Sequence, residues 1–220
     1  MEIIVEGKGM TTVVPDQVII NFDFITKGEI YEEVLELGSR NVYDFIQNII
    51  VSNGFNSDDL KTRSFVIREE RKYDEITRQY LFDGYSYNQH GTIKFDYDKE
   101  LLARFMDSLS KIANPPKAYI NFGIKDEKLS RNKLLELAYE DAKSQAEAIA
   151  HAAGKELKCC SKVDFKPFTT SYVSMSNLDG HMFCAEEACF GRGAAEVITN
   201  IFTPEDITLS ETLYCLWIAE

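Results

Sequence analysis

The last third of the chain gathers the side chains best suited to chemistry. Cys159 and Cys160 are followed by His181, Cys184 and Cys189, the last three within nine residues as H-x2-C-x4-C. Soft thiolates and an imidazole at close spacing are what zinc takes, and zinc wants four donors in a tetrahedron. The spacing matches no strong zinc pattern, and free cysteines commonly pack as small apolar groups. The residues are therefore read as structural, with no cofactor expected and with His181, Cys184 and Cys189 as the only metal candidates. The same thiols would be redox-active if one were exposed with a lowered pKa.

Other constellations are weaker. Gly7 and Gly9 suggest a bulge or a turn, and a phosphate loop is disfavoured because a second strand, not a helix, follows them. Gly191-Arg192-Gly193 combines a cation with open backbone, which is also what a plain loop looks like. Paired acids occur at Glu69-Glu70, Glu140-Asp141 and Glu186-Glu187. Neighbours in sequence do not face each other on a helix or strand, so these are solvated charges rather than an acid–base pair. His90, His151 and His181 sit in no triad setting, and no G-x-S-x-G elbow occurs. No catalytic residues are assigned. Tyr80, Phe82, Tyr85 and Tyr87 read as cross-strand packing first and a binding surface second.

The elements that must hold these residues follow from periodicity. Val18, Ile20, Phe22 and Phe24 alternate with Asn21 and Asp23, a half-buried strand entered through Pro15. From Glu29 to Asn53 the apolar spacing changes to three and four, an amphipathic helix closed by Gly54. Gly38 lies inside it and marks close packing. A hairpin with a charged tip at 69–78 joins strands at 60–73 and 80–97. Asp98 caps a second helix, which Pro115-Pro116 stops. Ala118 to Ile124 is a strand. A third helix, 127–153, is lined by Leu134, Ala138, Ala142, Ala146, Ile149 and Ala153. A short strand at 159–165 follows, and a strand at 207–219 closes the chain, apolar on both faces of its second half, as a central strand would be. Residues 166–204 lack periodicity and read as an insert or arm. The order is that of an α+β protein, a mixed or antiparallel sheet with amphipathic helices on one face. It is read as one domain over 1–220, or as two α/β subdomains.

Composition narrows the roles. The chain has 220 residues, 45% hydrophobic, with 24 basic and 36 acidic side chains for a net charge of −12. That field repels phosphate, so nucleic acid is not an expected partner. No apolar run approaches the roughly 20 residues of a membrane span. Met1 leads directly into a strand-like segment without a secretion signal, so the chain as written is expected in the cytoplasm, with its five cysteines reduced.

Four segments carry a family likeness. They are Val5-Glu6-Gly7-Lys8-Gly9 with Val14-Pro15-Asp16-Gln17; Gly54 to Thr62; Gly84-Tyr85-Ser86-Tyr87-Asn88; and Ala138 to Gly154 with Asp141-Ala142 and Gln145-Ala146-Glu147. In that order they resemble the SIMPL-domain family, a domain of unknown function whose members include a bacterial periplasmic immunogenic protein and YggE-like proteins. Val18 stands where the family has alanine. The resemblance implies an α+β fold, homo-oligomeric assembly, a loose link to stress responses and an envelope location for most members. It brings no catalytic residues. The expected role is a non-enzymatic assembly or interaction protein, a homo-oligomer with a protein partner reached through 166–204. The alternative is a small-ligand-binding protein or an enzyme with a pocket between sheet and insert.

Overall fold

The last strand of the chain is the middle of a sheet that it builds with the first. The computed structural model describes residues 1–168 and 202–220. Strand β7 (Ile207–Ala219) pairs antiparallel with β1 (Glu2–Val13) from Glu2↔Ile218 to Val13↔Ile207, and on its other side with β6 (Leu157–Asp164). The chain ends are tied: the Met1 ammonium donates to the Ala219 carbonyl at 2.5 Å, and the Ala219 N–H donates to the Met1 carbonyl at 2.9 Å. Ile3 and Val5 of β1 and Leu213, Cys215, Trp217 and Ala219 of β7 bury one face, two residues apart along each strand. Helix α3 (Glu127–Ala152) covers that face with Leu134, Ala138, Ala142, Ala146 and Ala150. The buried stripe differs from the predicted one. Ala150 replaces Ile149 and Ala153, both of which are exposed. A pure four-residue row is inclined to the helix axis, so it runs as one line over a twisted sheet.

Gly7 and Gly9 also depart from the expected bulge or turn. The β1–β7 ladder passes through Gly7↔Leu213 and Gly9↔Glu211 with neither bulge nor turn. A Cβ on Gly7 would lie 2.0 Å from the Ala138 carbonyl oxygen, and one on Gly9 2.0 Å from that of Leu134. The glycines let the α3 backbone rest on the strand backbone. Asp141 ties the same contact, accepting from the Lys8 N–H at 2.8 Å and from Gln145 Nε2 at 2.9 Å. Together residues 1–14, 124–168 and 205–220 form one of two packed units among the described residues.

The second unit holds residues 15–123 and 202–204. Its sheet has the order β3-β4-β2-β5, formed by β2 (Gln17–Gly28), β3 (Lys61–Asp74), β4 (Gln79–Asp96) and β5 (Lys117–Gly123), all neighbours antiparallel. Val18, Ile20, Phe22 and Phe24 turn inward against helices α1 (Tyr31–Phe45) and α2 (Lys99–Ser110). Phe22, Phe24 and Phe45 meet edge to face or tilted, with centroids 4.9 to 6.2 Å apart. Gly38 lets α1 cross the buried Tyr87, whose ring would lie 2.4 Å from a Cβ there. The predicted single helix to Asn53 changes pitch at Ile46–Ile50, which is π-helical, then at Val51–Asn53, which is 3₁₀, and ends at Gly54 with φ +88°. The wider turn brings the neighbours Ile49 and Ile50 both into the core. Asp98 caps α2, accepting from the N–H groups of Glu100 at 2.8 Å and Leu101 at 3.2 Å. The fold is α+β, with antiparallel sheets and helices packed on sheet faces.

Candidate functional site

His181, Cys184 and Cys189 lie outside the described residues, as do Glu186-Glu187 and Gly191-Arg192-Gly193. Most of the 166–204 segment does too. Of the other thiols, Cys159 is exposed, Cys160 half-buried and Cys215 buried, and none is in a disulfide. Burial in the β7–α3 core, with Cys160 beside it, pushes the Cys215 thiol up to about 11, which suits packing and not nucleophilic chemistry. Among the described residues no three metal-ligating side chains converge. His151 is exposed in the last turn of α3.

His90 is placed differently from the sequence reading. It lies on the face of the four-stranded sheet opposite the helices, where directly opposite residues share one side. The register sets Lys117, Asp23, His90 and Ser64 in one row across β5, β2, β4 and β3. His90 Nδ1 is bonded to Asp23 Oδ1. One step along, Thr92 donates to Asn21 Oδ1 at 2.8 Å. Asn21, Asp23, Arg63, Ser64 and His90 line a shallow cavity of about 350 Å³. An Asp, a His and a Ser thus lie side by side, but the Ser64 hydroxyl makes no hydrogen bond to the ring, so no proton relay reaches a nucleophile. Alternation in β2 and β4 puts these residues on the outer face; only the register makes them neighbours. Farther along this face, Ser86 donates to Glu70 Oε1 at 2.6 Å and Arg68 Nε to the same oxygen at 3.0 Å. Those two bonds, that of Ser86 first, hold the Glu70 carboxyl below the usual range.

A second cavity, of about 390 Å³, follows from Pro115-Pro116. Neither proline can donate to a ladder, β5 starts only at Lys117, and among the described residues β2 therefore has no neighbour on that side beyond Asp23. Phe24, Phe45, Ile112 and the two prolines line the notch, together with Asp44 and Asn48.

The third feature is a ribbon. The β2–β4 pairing ends at Gly28↔Tyr85, while β3 and β4 continue together to Asp74↔Gln79. Residues 79–84 of β4 thus have β3 as their only strand neighbour among the described residues. The ribbon carries Ile76, Tyr80 and Phe82, exposed at 93%, 68% and 54%. Tyr80 packs edge to face on Tyr73 at 5.2 Å, and Phe82 on Tyr85 at 5.3 Å. The predicted packing role holds for Tyr85 and Tyr87, which reach the core; Tyr80 and Phe82 pair with a ring and still face solvent.

A family model described as SIMPL, protein of unknown function (DUF541), matches residues 3–214. No curated protein matches the chain. No helix among the described residues is long and apolar enough to cross a membrane.

Proposed function

The chain belongs to the SIMPL family, and from that premise we propose that it is a non-enzymatic assembly and interaction protein that joins copies of itself through the β3–β4 ribbon. The carrying observation is the exposed apolar set on that ribbon. A two-stranded ribbon alone is marginally stable in water, and large apolar side chains gathered at its end are characteristic of contact surfaces. Tyr and Phe are the residue types enriched where interfaces form. The charged pairs Arg68–Glu70 and Arg71–Glu69 lie where the ribbon leaves the sheet, internally satisfied at 3.0 and 2.7 Å. They keep the outer edge of β3 from pairing indiscriminately.

Light scattering at micromolar concentration tests this reading. The native protein is expected as a multimer, and the triple variant Ile76→Asp, Tyr80→Ser, Phe82→Ser as a smaller species with unchanged circular dichroism. A native protein that is strictly monomeric overturns it.

A further inference from the structure

The outer face of the four-stranded sheet reverses the charge of the molecule. On a chain of net charge −12 it presents Lys27, Lys61, Arg63, Arg68, Lys94 and Lys117. The acids on the same face are Asp23, bonded to His90; Glu70, bonded to Arg68 and Ser86; and Asp96. Lys61, Arg63, Lys94 and Lys117 make no ion pair among the described residues, and Lys27 lies near enough to Glu70 to help hold its carboxyl down. Between the cations stand exposed apolar groups, Ile25, Val66 and Tyr119. No described helix of this unit covers the face; α1 and α2 lie on the other one.

The complementary surface is on the same chain. Helix α1 buries Val34, Gly38, Val42 and Phe45 against its own sheet. On the opposite side it exposes Glu32, Glu33, Glu36 and Tyr43 at helical spacing, with Glu29 just before it. Arg40 is the one cation in that stripe and is paired with Glu36 at 2.5 Å. The outer strands of a four-stranded sheet lie about 14 Å apart, enough to seat one helix of about 10 Å diameter.

We propose that the basic sheet face receives the acidic side of α1 from a second copy of the chain, a head-to-tail contact that layers sheet on helix on sheet. This rests on the assembly reading and adds a second contact to it. The two surfaces differ, so the contact is heterologous and makes a closed ring or a continuing stack. Nucleic acid is disfavoured as the occupant because the net field repels it and because acidic side chains suited to the face already exist on this chain.

Charge-swap complementation in the full-length protein tests it. The face variant carries Lys61→Glu, Arg63→Glu and Lys94→Glu; the helix variant carries Glu32→Lys, Glu33→Lys and Glu36→Lys. Measured by sedimentation at low salt, each alone is expected to weaken self-association about a hundredfold, as juxtaposed like charges do. An equimolar mixture of the two, or one chain carrying all six changes, is expected to regain native association. Folding is followed by circular dichroism, and regained association in the mixture also shows that both variants fold. Native-like association of each variant alone, or loss in both with no rescue, overturns the contact. A native protein that is monomeric overturns the assembly reading itself, and assembly sensitive only to the ribbon variant leaves that reading standing without this contact.

Discussion

Gly7 and Gly9 show how much one missing methyl group decides. Each lies where the backbone of α3 touches the backbone of β1, and a carbon added at Gly7 would approach a carbonyl oxygen to 2.0 Å. The oxygen belongs to Ala138, in a regular helix that cannot yield locally. Gly7→Ala must lift α3 from the sheet, at a cost of about 2–3 kcal/mol, the upper range for overpacking a tight core. Trp217, the only tryptophan of the chain, is buried in that core and reports the change. Urea denaturation followed by its fluorescence should show a lower midpoint, and an unchanged midpoint would mean the helix does not rest on the glycines. The sequence marks these positions as special but not the reason. The glycine signal is the same for a turn, a phosphate loop and a close approach, and only the partner helix separates them. Gly38 was easier, because a glycine within a helical stripe has few uses besides proximity. The Asp23–His90 pair was illegible for another reason. Its members lie far apart in the chain and meet only through the pairing of β2 with β4.

At the level of elements, the order of strands and helices could be read almost entirely from spacing, since the strand and helix periods are well separated. The end of each element depends on local chemistry. Asp98 is the clearest case: its carboxylate accepts from two N–H groups that α2 cannot satisfy itself. Asp98→Ala is expected to destabilise the second unit by about 1 kcal/mol. Faster hydrogen exchange at Glu100 and Leu101 than elsewhere in α2 would check it, and exchange accelerated evenly along α2 would count against a capping role. What spacing cannot give is a change of pitch. Ile46–Ile50 fits an α-helical stripe poorly because Ile49 and Ile50 are adjacent, and the π turn resolves this by widening the buried arc. The length of the β3–β4 ribbon beyond β2 was also hidden, since overhang is a property of two registers compared.

For the whole molecule, the sheet to which each strand belongs was the least legible property. Alternation says that a strand has an inner face but not which neighbour it takes, and β1 and β7 find each other across nearly the entire chain. This separation has a kinetic consequence. Pairing Glu2 with Ile218 closes a loop almost the length of the chain, while pairing Gly28 with Tyr85 closes one about a quarter as long, a difference of two doublings or about 1.2 kcal/mol of closure entropy. The β2–β4 pairing, with α1 and α2 beside it in sequence, can form before β1 and β7 meet. Pulsed hydrogen exchange during refolding should therefore find β2 and β4 amides protected first and β1 and β7 amides later, in step with burial of Trp217. Simultaneous protection of both sheets, or earlier protection of β1 and β7, would mean that closure entropy does not order the folding and that residual structure already holds the two chain ends close in the unfolded state.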